Sequence, residues 1–127
     1  MQPLNIESAC VFLDADSGAR SVPIDADFWP ALMSGRLGPV RRLVSSFSYD
    51  ADWPSWERHP AGEELVMLLE GDVELVLETE GGETRVVLTR PGSYVLVPTN
   101  TWHTAKVRAP SRMFFITPGE GTENRRG

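Results

Sequence analysis

The chain has 127 residues, 41% hydrophobic and 24% charged, which fits one soluble domain with a true core and excludes a mainly disordered state. The longest apolar run in its middle, Leu65 to Leu69, is far short of the ~20 residues of a membrane-spanning helix, so no membrane partner is expected. Eighteen Asp and Glu against twelve Lys and Arg give a net charge of −6, a surface that repels a phosphate backbone and argues against nucleic-acid binding.

Eleven Gly and ten Pro cut the chain into short pieces, and most pieces read as strands. Ala9 to Leu13 is an apolar run in which Cys10, the single cysteine, reads as a small buried hydrophobe. One cysteine excludes an intrachain disulfide, and the N-terminus has no basic stretch followed by an apolar core; a reducing, cytoplasmic setting is expected. Asp25 to Ser34 is the one plausible helix. Asp25 or Asp27 can cap it, Pro30 is tolerable in its first turn, and Gly35 can end it.

Val40 to Tyr49 reads as a strand, and so does Trp53 to His59, interrupted by Pro54. Glu64 to Glu70 is the next, with a turn or bulge at Gly71. Asp72 to Glu78 then alternates, with Val73, Leu75 and Leu77 on one face and Asp72, Glu74 and Glu78 on the other. Gly81-Gly82 predicts a primed hairpin turn and Thr84 to Thr89 the returning strand. Arg90-Pro91-Gly92 turns again, and Ser93 to Val97 is a strand ended by Pro98. Thr101 to Arg108 follows, turned by Ala109-Pro110 into Arg112 to Thr117. The polar tail from Pro118 to Gly127 reads as a frayed terminus, with a lid over the barrel mouth as the other option. Eight or nine short strands and one small helix predict a β-sandwich or barrel. The expected layout is one domain: residues 1–39 packing on a barrel of 40–118, then a tail of 119–127.

The chain holds two histidines, His59 and His103. Glu57 and His59 are two apart on a predicted strand, so both point to one face. Pro60-Ala61-Gly62 makes a tight turn, and the antiparallel return brings Glu63 or Glu64 beside His59. A divalent metal needs three or four such N and O donors at about 2.0–2.2 Å. His103 would complete the set, but spacing alone does not bring it to His59.

Two stretches resemble the cupin superfamily. Glu57 to Gly71, ERHPAGEELVMLLEG, resembles its first motif: His59 falls on the second histidine, and Glu64 on the glutamate six residues before Gly71. Gly92 to His103, GSYVLVPTNTWH, resembles the second motif, with Gly92, Pro98 and His103 on its Gly, Pro and His. Glu57 stands where the leading histidine would be, Ala51 and Asn100 replace glycines, and Val107 replaces the final Asn. The resemblance implies an all-β double-stranded β-helix, or jelly-roll barrel, with one short N-terminal helix. It also implies a homodimer and one divalent metal (Fe, Mn, Ni or Zn) held by His59, Glu64 and His103; Glu57, at the position of the missing histidine, is either a fourth ligand or a solvated strand residue paired with Arg58 or Arg112. Glu63 is expected at the surface or behind the ligands.

Two functions follow as expectations. One is a metal-dependent oxygenase or isomerase acting on a small organic molecule. The other is a non-catalytic cupin that binds or senses a small molecule or metal. A metal-free isomerase of the sugar-nucleotide type is a weaker third, against which the Glu57/His59 pair counts. A polar group beside the ligands, Tyr49 or Arg112, would favour an enzyme. Phe47, Tyr49 and Phe115 are expected to line a pocket, while Trp56 and Trp102 should point away from the metal face into packing or a dimer interface.

Overall fold

Two long strands organise the fold. In the computed structural model, which describes residues 1–126, β5 (Glu64–Thr79) and β8 (His103–Pro118) lie antiparallel along most of their length. Each changes neighbours halfway. The first half of β5 pairs with β7 (Tyr94–Val97) and the second with β6 (Gly82–Leu88). The second half of β8 pairs with β3 (Arg42–Tyr49), which continues to β1 (Ala9–Leu13) and β2 (Ala19–Pro23). The start of β8 pairs with β4 (Ser55–Arg58), which continues to β9 (Glu123–Arg126). Two antiparallel layers thus share β5 and β8, the jelly-roll arrangement expected from the sequence.

The crossing between layers is marked in the register, which shifts between Leu68 and Val73. Gly71 sits there at φ +115°, and a Cβ on it would collide with Ser111. Ser111 Oγ fills that space, accepting the Asp72 N–H and donating to the Ala109 carbonyl. The irregularity resets the inward face of β5: Val66 and Leu68 are buried before it, and Val73, Leu75 and Leu77 after it. With Ala105, Met113 and Phe115 of β8, plus Leu88 and Val97, they form the barrel core.

Ala109-Pro110 is not a turn, contrary to expectation. Both residues lie within β8, opposite the β5 irregularity; a proline there removes no ladder hydrogen bond. The β5–β6 turn also differs. Thr79 pairs with Gly82, so its central residues are Glu80 and Gly81, with positive φ at Gly81 alone of these two.

A second core cluster joins Cys10, Phe12 and Val22 to Phe28, Val40 and Leu43. Phe28 arrives on α1 (Phe28–Met33), which is shorter than predicted. Asp25 Oδ1 accepts the Asp27 N–H and is spent in the turn before the helix, while Asp27 at the N-cap makes no side-chain cap. Strand β2 escaped prediction because four of its five residues are exposed. The tail is not frayed: residues 123–126 pair with β4. No helix among the described residues is long and apolar enough to cross a membrane.

Gly71→Ala should therefore destabilise the protein by about 3 kcal/mol in urea unfolding, since strain and collision act together. Gly81→Ala, with open space around it, should cost about 1 kcal/mol from strain alone.

Candidate metal centre

Three strands converge on one pair of histidines. Glu57 lies on β4 directly opposite His103, the first residue of β8. His59 follows the end of β4, and its carbonyl accepts the Asn100 N–H at 3.0 Å. Asn100 holds φ +60° at the position of the second motif's glycine, a geometry Asn tolerates. Glu64 opens β5, inward like Val66 and Leu68.

Glu64 Oε1 sits between the two rings, 2.9 Å from His103 Nε2 and 3.2 Å from His59 Nε2. Glu57 Oε2 lies 3.7 Å from His59 Nε2. Donor atoms of Glu57, His59 and His103 all fall within 4.8 Å of one another. His59, Glu64 and His103 are at most 3% exposed, whereas the Glu57 side chain is 35% exposed.

Outer contacts fix these groups. Thr117 Oγ1 donates to Glu64 Oε2 at 2.6 Å. His103 Nδ1 donates to the Thr101 carbonyl at 3.0 Å. His59 Nδ1 meets Thr122 Oγ1 at 2.9 Å. Among the described residues His59 Nε2, by contrast, is buried without a hydrogen-bond partner, with Glu64 Oε1 3.2 Å away. Such an atom is costly unless something else engages it.

The electrostatics point the same way. Burial pushes Glu64 up, but the hydrogen bond from His103 and the closeness and charge of both histidines outweigh it, leaving Glu64 at about 2. Burial, and then the charge of Glu64, push Glu57 up. Burial alone would lower His103; the Glu64 carboxylate, with the Thr101 carbonyl and Glu57, raises it instead. Two repelling carboxylates and two imidazoles with converging Nε2 atoms form a pocket for positive charge.

A divalent ion fits this set. Donors bonded to one ion at 2.0–2.2 Å lie about 2.8–3.6 Å apart, close to the contacts of 2.9, 3.2 and 3.7 Å. Mixed N and O donors suit Fe, Mn, Ni and Zn.

Aromatic rings continue inward from the histidines. Trp53 presents an edge to His103 at 6.2 Å and packs on Tyr49 (5.7 Å) and Phe115 (5.9 Å). Phe47 lies beyond, between Phe115 and the half-exposed Trp29. Burial, then the charges of Glu57 and Glu64, push the Tyr49 phenol up, so it keeps its proton. Tyr49 and Phe115 thus pack on the ring that borders His103, while Phe47 lies one ring further away. That bordering ring is Trp53; its place three residues before Trp56 on an interrupted strand gave no inward signal.

Arg112 does not reach the site: it pairs with Glu7 and Glu70 at the surface. Glu63 is exposed. Trp56 and Trp102 do point away from the histidines, packed beneath Arg125, with Arg58 also over Trp102. Thr117 shares the inward phase of Met113 and Phe115 and was open to detection; Thr101 and Thr122 carried no local signal.

The pH dependence of metal-stripped protein follows from these shifts. Glu64 titrates lower folded than unfolded, so its stabilisation is complete above 4.5 and lost as pH falls toward about 2. His103 titrates higher folded than unfolded, so its stabilisation is complete below 6.5 and lost as pH rises through the raised value. The difference in unfolding free energy between wild type and His103→Gln should peak between pH 4.5 and 6.5 and shrink on both sides. A difference that ignores pH would refute the Glu64–His103 pairing.

Comparison with known proteins agrees with this architecture. The family model for the Cupin domain matches residues 47–118, more than half of the chain. No curated protein sequence matches it. Solved structures of similar fold include a cupin superfamily protein from Desulfitobacterium hafniense, at 22% identity and TM-score 0.53, covering 64% of this chain and 70% of that one. A cupin-2 domain containing protein from Shewanella frigidimarina follows at 14% and 0.52, covering 64% and 74%. Hydroquinone 1,2-dioxygenase from Sphingomonas sp. TTNP3, with 4-hydroxybenzoate bound, is similar at 17% and 0.51, covering 64% and 61%. With its two motifs on adjoining ends of β4, β5 and β8, the chain belongs to the cupin family.

Proposed function

We propose that this cupin is a metal-dependent enzyme acting on a small organic molecule, with Glu57, His59, Glu64 and His103 holding one divalent ion. The observation that carries the reading is the convergence of Glu57, His59 and His103, with Glu64 Oε1 between the two rings, around a buried His59 Nε2 that has no hydrogen-bond partner among the described residues. The ion would be Fe, Mn, Ni or Zn; it would supply Lewis-acid polarisation or, as Fe(II), oxygen chemistry. An oxygenase is the favoured class and an isomerase the other.

The chain's own residues give substrate a path and a binding end. Glu57 is the exposed member of the set, so substrate approaches from its side. Tyr49, which keeps its proton, offers an O–H to a substrate oxygen. Trp53, Phe115 and Phe47 exclude water and favour an apolar or aromatic body. The aromatic ligand of the Sphingomonas dioxygenase is of that class. A non-catalytic binding module is the second reading, supported by the near-complete burial of His59, Glu64 and His103.

A second copy of the chain is the proposed partner. Leu96, Leu65, Ile116, Val44 and Val11 line up across five strands on the outer face, beside Tyr94, Met67 and Phe114. Tyr94 and Leu96 are each 55% exposed. An apolar sheet face of this breadth is characteristic of an interface. The free thiol of Cys10 suits a reducing, cytoplasmic setting.

Elemental analysis of protein purified without tag or chelator should find about one metal per chain, as mass action at a four-donor site requires. His59→Ala and His103→Ala should both lose it. Iron directs the search to oxygen uptake with small aromatic substrates, and zinc to isomerase assays. Metal-free protein that resists reconstitution would exclude the reading. In sedimentation the chain should run as a dimer, and Leu96→Glu should shift it toward monomer without altering metal content.

A further inference from the structure

We infer that Thr122 is the positioning residue of His59, and that β9 is the strap that carries it there. The inference rests on the proposed metal site for its affinity readout but not for its ring-geometry readout.

The two histidines are held in different ways. His103 Nδ1 meets a backbone carbonyl only two residues away, Thr101; a carbonyl can only accept, so that ring's orientation is fixed locally. His59 lies beyond the last ladder residue of β4, Arg58. Its Nδ1 contact is a hydroxyl from 63 residues further along the chain. In the metal-competent form that hydroxyl accepts the Nδ1 proton and leaves the Nε2 lone pair facing Glu57 and Glu64. Among the described residues no other group hydrogen-bonds Nδ1, so Thr122 alone holds that side of the ring by a hydrogen bond.

The delivery of Thr122 is built into the outer layer. Strand β9 pairs Trp56 with Arg125, Glu57 with Asn124 and Arg58 with Glu123. One further step of the same register brings Thr122 to His59. Three side-chain contacts clamp this register. Arg58 and Glu123 form an ion pair at 2.8 Å. The Arg125 guanidinium lies over both Trp56 (5.1 Å) and Trp102 (4.6 Å). Arg125 also pairs with Glu78 on β5. The two tryptophans that face away from the histidines thus anchor the segment that orients one of them.

The test compares wild type, Thr122→Ser and Thr122→Val. Long-range 1H–15N spectra of metal-stripped protein at alkaline pH report which His59 nitrogen carries the proton, and competition titration with Zn2+ reports affinity. Wild type and Thr122→Ser should hold one and the same His59 tautomer, since the hydroxyl can accept from Nδ1–H or donate to a bare Nδ1. Thr122→Val should give a mixture of tautomers and bind Zn2+ roughly 10–100-fold more weakly, the range for lost partners of metal-bound histidines. A valine variant with wild-type tautomer and affinity overturns the inference, as does a serine variant that falls with it. If wild type binds no Zn2+, the metal reading fails, and the tautomer comparison still decides the role of Thr122. If Thr122→Val does not fold, Arg125→Ala loosens the strap from a distance: shifted His59 ring signals support the inference, and unchanged ones overturn it.

Discussion

A carboxylate at 3% exposure survives inside a protein only if its charge is answered, and Glu64 is answered from three sides. Both histidine rings approach Oε1, and Thr117 donates to Oε2. Two of these partners, His103 and Thr117, lie on β8 and the third, His59, just past β4, so Glu64 on β5 also staples together the two strands that the layers share. Removing any one partner leaves a buried charge, which costs more than the lost contact alone. That same tension makes the spot receptive to a cation: what is expensive for apolar packing is the ordinary condition of a ligand set.

Around that point the chain spends its variety unevenly. The barrel interior next to Glu64 is apolar and tightly packed, whereas the polar contacts lie on the outer side of the rings, at Thr101 and Thr122. The division is physically sensible. Hydrogen bonds behind the rings set their direction, and apolar neighbours in front limit competition from water on the donor side. Tyr49 is the exception among the aromatic neighbours, carrying a hydroxyl into the field of Glu57 and Glu64.

Much of this was legible in the residues. Alternation in β5 and the pairing of Glu57 with His59 follow from the two-residue period of a strand; the burial of β5 reproduces the first and the 3.7 Å Glu57–His59 contact the second. The convergence of His59 with His103 was not derivable from spacing, because it depends on β8 crossing between layers; the motif resemblance supplied it. The errors have definite causes. Ala109-Pro110 has the composition of a turn but lies at a bulge, where proline is tolerated. The tail looked unstructured because its polarity was judged without its partners. Trp56 and Trp102 give Arg125 two aromatic faces, an arrangement invisible until β4 and β8 are side by side.

The switch of inward face along β5 makes the number of residues in that strand as informative as their kinds. Before Gly71 the even positions face the core; after it the odd ones do. Deleting one residue there would rotate the whole following segment by half a turn relative to its neighbours. Glu74, Val76 and Glu78 would then be driven into the space that Val73, Leu75 and Leu77 now fill. Most single substitutions in β5 alter one contact, but a change of length would put two carboxylates, Glu74 and Glu78, into a row that is now wholly apolar. Tolerance to insertion and deletion should accordingly be lowest at a position whose own side chain is a single hydrogen atom.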